Sequence, residues 1–195
     1  MVQESFEYAK DAADLASKIA KGHIKEKKQQ ALALSKEIDR RESLFGEHQK
    51  ARETLKGKNT PEANEVIGRY LCFELGRWET GLPHLAQGND KKLADVASRE
   101  LDSLAAANPD SVKVYLIAEE WWEVADEKKM PRANVDVIQS HAAALHRSVT
   151  EKLTNPLQKL TSQQRIQTAA TVSTSWIALT TNGKPSPKPR SRKWT

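Results

Sequence analysis

Five histidines are the side chains of this sequence best suited to acid–base or metal chemistry. They are scattered along the chain: His23, His48, His84, His141 and His146. On a helix, which turns by roughly 100° per residue, the five-residue spacing of His141 and His146 sets their side chains about 140° apart. Such a pair is poorly placed to share a metal ion. The sequence therefore predicts no metal site and no cofactor.

A nucleophilic site is also not indicated. Ser140 and His141 are neighbours in sequence, but no orienting carboxylate accompanies them, and a catalytic triad needs one. The sequence contains no Walker loop, no dinucleotide-binding glycine motif, no Cys-x-x-Cys and no His-Glu-x-x-His. The single cysteine, Cys72, excludes a disulfide within the chain and is expected to be a small packed residue. We therefore predict that the protein is not an enzyme.

Carboxylates beside aromatic rings can indicate sugar chemistry, because glycosidases place two carboxyl groups around the bond they cleave. Here acidic residues surround the pair Trp121-Trp122: Glu119, Glu120, Glu123, Asp126 and Glu127. On a helix, however, Glu119 and Glu123 form an i, i+4 pair on one outer face, which favours a solvated surface. Ala118 and Ala125 share the stripe of the tryptophans, which favours a core position for both rings.

The basic charge is concentrated at the C-terminal end. The last twelve residues contain five basic residues and no acid: Lys184, Lys188, Arg190, Arg192 and Lys193. The other 26 basic residues equal the 26 acidic ones, so residues 1–183 are neutral overall. The tail could bind an anionic polymer weakly through counterion release, with Trp194 stacking on a base. A solubilising tail without a ligand is the favoured alternative.

The first third of the sequence predicts a long helical hairpin. A helix over residues 4–21 carries an apolar face: Tyr8, Ala12, Leu15, Ala16, Ile19 and Ala20. A second helix over residues 24–56 has apolar residues every seven positions: Ile24, Ala31, Ile38 and Phe45, with Leu34 and Leu55 beside them. Gly46 interrupts this seam, and Arg41, His48 and Arg52 fall on or next to it. The seam either folds back on the first helix or forms a homodimer through residues 24–45.

Residues 60–88 predict a second helical hairpin, which organises the rest of the chain. Thr60 suits the N-cap and Pro61 the first helical position. Gly68 would let the facing helix approach closely, and Gly76 would form the turn. The two stripes are expected to be buried: Ile67, Leu71 and Leu75 before the turn, and Trp78, Leu82 and Leu85 after it. This layout is typical of a tetratricopeptide-type repeat.

The remaining helices are predicted from their apolar stripes and turn residues. Asn89 or Asp90 would cap a helix with the stripe Leu93, Ala97, Leu101 and Leu104. A hairpin over residues 109–153 carries the stripes Val114, Ala118, Trp121, Ala125 and then Ile138, Ala142, Leu145, Val149, Leu153. Thr161 and Gln164 form a capping-box pattern before a short last helix. Residues 172–181 favour a β-strand, and Asn182-Gly183 favours a hairpin turn.

Four runs of the sequence resemble a group of uncharacterised bacterial proteins with a tetratricopeptide-like helical region. The runs are Pro61-Glu-Ala-Asn64, Gly68-Arg-Tyr-Leu-Cys72, Trp78 through Asp90, and Ala118 through Ala125. The resemblance spans roughly residues 25 to 168 and implies a helical repeat without naming an activity. In that group the region commonly lies in larger, often exported proteins beside a β-rich domain. Where the group often has Tyr-Trp-Tyr, this chain has Ala143-Ala-Leu-His146.

We therefore expect an all-α fold of about seven to eight helices, arranged as tetratricopeptide-like antiparallel hairpins with a long N-terminal hairpin and a disordered C-terminal tail. The expected divisions are an N-terminal hairpin (1–57), a repeat domain (58–170), and a basic tail or truncated β domain (171–195). The expected function is a non-enzymatic protein-interaction or scaffold module. Its candidate partner-binding residues are Tyr70, Phe73, Trp78, Trp121 and Trp122. The absence of a signal-peptide core and of a long apolar run predicts a cytoplasmic protein, and the resemblance implies export if the chain is a fragment.

Overall fold

The computed structural model describes residues 2–20, 25–127 and 130–180, which form eight α-helices and no strand. The helices are α1 Val2–Ala20, α2 Lys25–Gly57, α3 Pro61–Arg69, α4 Trp78–Leu85, α5 Lys91–Ala105, α6 Ser111–Ala125, α7 Arg132–Val149 and α8 Pro156–Thr180. A π-helical segment, Tyr70–Glu74, follows α3, and a 3₁₀ turn, Thr150–Lys152, follows α7. The all-α prediction is confirmed.

The chain divides into two compact units, Met1–Ala94 and Asp95–Thr195. The division falls inside α5, within the segment 58–170 that the sequence treats as one repeat domain. Each unit has a core of its own.

In the first unit, α1 packs along α2, which confirms the long N-terminal hairpin. The rings of Phe6 and Phe45 lie 5.7 Å apart, and Lys10 pairs with Glu42. The predicted packing face of α1 is wrong, because Tyr8 and Leu15 are 73% and 58% exposed. The helix instead turns the face of Phe6 and the buried Ala13 towards α2, since a small side chain there allows close approach.

The long second helix runs without a break through Gly46, which confirms the prediction of one helix over residues 24–56. One glycine lowers helix propensity by about 1 kcal/mol, which the packing of a long helix readily offsets. Ala31 and Ile38 of the predicted seam are buried, whereas Leu34 is exposed. Two of the seam residues are therefore already covered within the chain.

The second hairpin of this unit follows the sequence signals closely. Thr60 caps α3 by accepting a hydrogen bond from the backbone N–H of Ala63 (3.3 Å), and Gly76 adopts a φ of 64° in the turn. A Cβ on Gly68 would lie 2.7 Å from the backbone nitrogen of Leu85, so close approach of α3 and α4 does require glycine. Leu75 is exposed, contrary to prediction, because the π-helical segment breaks the four-residue register.

Replacing Thr60 with alanine is expected to lower the free energy of unfolding by about 1 kcal/mol, because an N–H at the start of α3 loses its acceptor. Urea unfolding followed by circular dichroism measures this difference. Thr54→Ala, at an exposed position of α2, is the control and should change stability by less than about 0.5 kcal/mol. Equal effects of the two substitutions would contradict the capping role.

In the second unit, the predicted stripe of α6 is buried, as are Ile138, Ala142 and Val149 of α7. Asp110 caps α6 by accepting from the N–H of Val112 (2.8 Å). Val114 packs against Val149 and Leu153, which shows that the two helices are antiparallel. The hairpin predicted over residues 109–153 is confirmed. On α5, however, Leu104 is exposed and does not belong to a buried stripe.

The last helix differs from the prediction at both ends. Asn155 accepts from the N–H of Leu157 (2.9 Å), so α8 begins there and Thr161 lies inside the helix rather than at its cap. The predicted strand over 172–181 is wrong as far as Thr180, because α8 continues to that residue and crosses the predicted boundary at 170/171. A lone strand would leave its backbone unpaired, whereas a helix bonds its own. The basic tail residues and Asn182-Gly183 lie outside the described residues.

Across the helices that the structure describes, none combines the length and the apolar composition needed to cross a membrane.

Candidate protein-binding groove

The five aromatic residues predicted to bind a partner lie in two different environments. Phe73, Trp121 and Trp122 are buried in the cores, whereas Tyr70 and Trp78 are partly exposed. Phe73 and Trp78 contact each other, with ring centroids 5.9 Å apart. Of the five, Tyr70 lines an open groove. The structure therefore places the other four rings mainly as supports for the helices.

That groove, which we call the α2–α4 groove, lies in the first unit and has a volume of about 720 Å³. One wall is a single face of α2: Phe45, His48, Gln49, Arg52, Leu55 and Lys56. The facing wall is formed by α3 and the π-helical segment: Ile67, Tyr70, Leu71 and Leu75. Arg77 and His84 complete the lining. Ligand sites are commonly apolar concavities of this size with a few polar groups.

The α2 wall is continuous because its residues recur at helical spacing, at positions 45, 48, 49, 52, 55 and 56. The neighbouring residue Ala51 packs with Ala63 and Ile67, so α2 and α3 are held together directly beneath the groove. Leu55 and Leu71 pack against the same cluster. The groove is thus a surface between two tightly packed helices.

An aromatic cluster forms one end of the groove. The rings of His48 and Tyr70 stack at 4.3 Å with an interplanar angle of 21°, and Phe45 lies against both. Burial, with the nearby charges of Arg52 and His84, lowers the pKa of His48. Burial also raises the pKa of Tyr70. Both rings are therefore neutral at pH 7, and this end of the groove is uncharged.

The π-helical segment fixes the position of Tyr70 and Leu75. The N–H of Leu75 bonds to the carbonyl of Tyr70 at 3.2 Å, which closes the wide turn. Arg40 of α2 holds the other side of the segment with two hydrogen bonds of 2.9 Å to Glu74. Arg40 also bonds to Glu37, and this contact, followed by that of Arg41, lowers the pKa of Glu37 to about 2 although burial opposes the shift. Single π turns occur frequently at functional sites.

The second unit contains a buried polar network around Glu100. Its carboxylate accepts a 2.6 Å hydrogen bond from Nε1 of Trp121 and lies 3.0 Å from Nε2 of His141. His141 therefore does have a carboxylate partner, which comes from α5. Ser140 does not join it, because its hydroxyl donates to the carbonyl of Asp136 (2.7 Å).

A second network joins α6, α7 and α8. His146 lies 3.1 Å from Ser162 Oγ through Nδ1 and 3.1 Å from Glu119 Oε1 through Nε2. Arg165 bonds to Glu119 at 3.1 and 3.2 Å and stacks over Trp122 at 4.5 Å. The order serine, histidine, carboxylate is that of a catalytic triad. Ser162 and His146 are both 0% exposed, however, so the arrangement favours holding three helices together over attack on a substrate.

A second cavity of about 520 Å³ lies between α5, the loop 106–110 and α6. Its charged residues carry both signs, and Arg99 pairs with Glu120 across it. Among the described residues, no three histidine, cysteine or carboxylate side chains are grouped to hold a metal ion. The α2–α4 groove is therefore the strongest candidate for a binding site.

The sequence contains one signal for this groove. His48 and Arg52 fall on or beside the apolar seam of α2, where they read as imperfections. In the structure both line the groove, on the stretch of α2 that packs against α3 through Ala51. The exposure of Leu75 could not be found in this way, because it depends on the π-helical segment.

No protein-family description, no curated protein and no solved structure matches this chain.

Proposed function

We propose that this protein is a non-enzymatic helical-repeat module of tetratricopeptide-like type that binds a segment of a partner protein in the α2–α4 groove. The observation that carries the proposal is the exposed leucine at the end of an apolar groove: Leu75 is 45% exposed while Leu55, Leu71 and Ile67 line the walls beside it. Apolar side chains of a partner would cover these residues.

The rigidity of the groove supports this function. Its walls belong to helices, which the Ala51–Ile67 cluster and the Arg40–Glu74 bonds hold in place. A rigid site loses little conformational entropy when a ligand binds. Tyrosine and arginine are also among the usual anchors of protein interfaces, and the groove is lined by Tyr70, Arg52 and Arg77.

The test substitutes one exposed leucine in the groove and one outside it. Leu75→Glu should weaken binding of the partner at least about tenfold, about 1.4 kcal/mol, because a charge replaces the apolar anchor. Leu34→Glu is the matched control: Leu34 is 51% exposed on α2 and does not line the groove. Calorimetry with the purified partner measures both affinities, and circular dichroism verifies that both variants remain folded.

The partner is first identified by photo-crosslinking in a lysate of the source organism. A benzoylphenylalanine at position 75 should cross-link a protein that the same group at position 34 does not. Mass spectrometry of the adduct identifies the bound segment. Equal cross-linking from both positions, or equal affinity of the two glutamate variants, would contradict the proposed site.

The basic tail offers a different function, the weak binding of nucleic acid or another anionic polymer. The concentration of five basic residues and no acid within residues 184–195 favours it. Replacing all five by glutamine in the full chain should then abolish binding of a labelled oligonucleotide at low salt. Binding of the protein partner would be unchanged by this substitution if the groove is the site.

A further inference from the structure

The arginines of the first unit fall into two groups. Three of them form ion pairs within the unit: Arg40 with Glu37 and Glu74, Arg41 with Glu37, and Arg69 with Glu65 and Asp90. The remaining two, Arg52 and Arg77, make no ion pair with any residue that the structure describes. Both of these line the α2–α4 groove.

Exposure alone does not explain the difference. Arg41 is 64% exposed at its side chain and still pairs with Glu37 at 2.7 Å. The groove itself lacks acidic partners, because its lining includes Arg52, Lys56 and Arg77 but no aspartate or glutamate. Lys56 is compensated from outside the groove by Glu53, at 2.7 Å. The positive charge of the groove therefore belongs to the two arginines.

The arginines flank an apolar surface. Arg52 lies on the α2 wall between the His48–Tyr70 stack and Leu55, and Arg77 follows Leu75 at the turn. His48 adds a buried nitrogen, Nδ1, that has no hydrogen-bond partner among the described residues. A ligand that fits must combine apolar side chains with negative charge. Guanidinium groups suit carboxylates in particular, because they can form two parallel hydrogen bonds with one.

We infer that the partner segment, given the proposed function on which this inference rests, is an acidic peptide whose leucine or aromatic side chains lie along the groove and whose carboxylates pair with Arg52 and Arg77. A nucleic acid fits less well, because the stacked His48 already covers one face of Tyr70, the ring on which a base would stack. The two arginines thus favour an acidic partner. The apolar walls bind its leucine or aromatic side chains, and they would do so whatever the charge of the segment.

The test uses the full chain and three fluorescein-labelled peptides with one common pattern of leucines. Their intervening positions are all glutamate, all glutamine or all lysine. In fluorescence anisotropy the acidic peptide should bind about tenfold more tightly than the neutral one, and the basic one should bind least. Raising ionic strength from about 0.1 M to about 1 M should remove most of this preference, because the Debye length falls to about 3 Å.

Two double variants assign the preference to the groove. Arg52→Gln with Arg77→Gln should weaken the acidic peptide about tenfold and leave the neutral peptide unchanged. Lys50→Gln with Lys58→Gln removes the same charge from exposed positions outside the groove and should have little effect.

The outcomes distinguish the inference of an acidic partner from the proposed binding function on which it rests. Equal binding of acidic and neutral peptides, both weakened by Leu75→Glu, would overturn the acidic partner and leave the groove as the site. Binding that Leu75→Glu does not weaken for any peptide would overturn both. Tighter binding of a labelled single-stranded oligonucleotide, lost in the arginine variant, would assign the arginines to phosphate and overturn the inference.

Discussion

Replacing Gly68 with alanine is expected to lower the free energy of unfolding by about 1–3 kcal/mol, because the new methyl group overpacks the contact between α3 and α4. Its Cβ would lie 2.7 Å from both the backbone nitrogen and Cγ of Leu85. A backbone atom cannot rotate away as the end of a side chain can. The helices must therefore separate, and the groove wall formed by Leu71 and Tyr70 should move with α3.

The matched control is Gly46→Ala, in the middle of α2. A Cβ at Gly46 has no atom within 4 Å, so alanine gains helix propensity without a clash. This variant should be more stable than the natural chain by about 0.4–1 kcal/mol. Urea unfolding followed by circular dichroism compares the two. A stabilised or neutral Gly68→Ala would contradict the close approach of the helices.

The second large effect is expected at Glu119. Glu119→Ala should lower the free energy of unfolding at pH 7 by about 1–3 kcal/mol, because the guanidinium of Arg165 loses its hydrogen-bond acceptor and the fully buried His146 loses the carboxylate beside its Nε2. These contacts lie within 3.2 Å of the carboxylate. Glu123→Ala, at an exposed position on the same helix, should stay within about 0.5 kcal/mol of the natural protein.

The loss at Glu119 should depend on pH in a defined direction. The contact with His146, followed by that with Arg165, lowers the pKa of Glu119 from 4.5 to about 2, although burial opposes the shift. Because the unfolded chain binds this proton more readily, the contribution to stability is complete above pH 4.5 and is lost as the pH falls through about 2. The difference between Glu119→Ala and the natural protein should shrink over that window.

Urea unfolding at a series of pH values measures this difference. Glu37, whose pKa is also held at about 2, titrates over the same range in both proteins and cancels in the comparison. A difference that stays constant between pH 4.5 and pH 2 would show that Glu119 contributes through packing rather than through its charge.

The sequence by itself determined the features that depend on neighbours along the chain. Thr60-Pro61 starts α3 and Asp110 starts α6, because a cap bonds to backbone groups two or three residues away. Gly76 provides the turn, since its φ of 64° suits glycine. The helical hairpins and most of their buried stripes follow from apolar spacing in the same way.

Only the tertiary structure decided the features that depend on distant residues. The packing face of α1 was set by Phe45 and Glu42 of α2, and the outward position of Leu75 by a π turn that spacing does not reveal. Glu100 meets His141 from 41 residues away, which no local pattern predicts. The candidate site is of this kind as well. Arg52 reads as an imperfection of the α2 seam in the sequence and Arg77 belongs to no pattern, and only the fold brings the two to one apolar groove whose lining contains no acid to neutralise them.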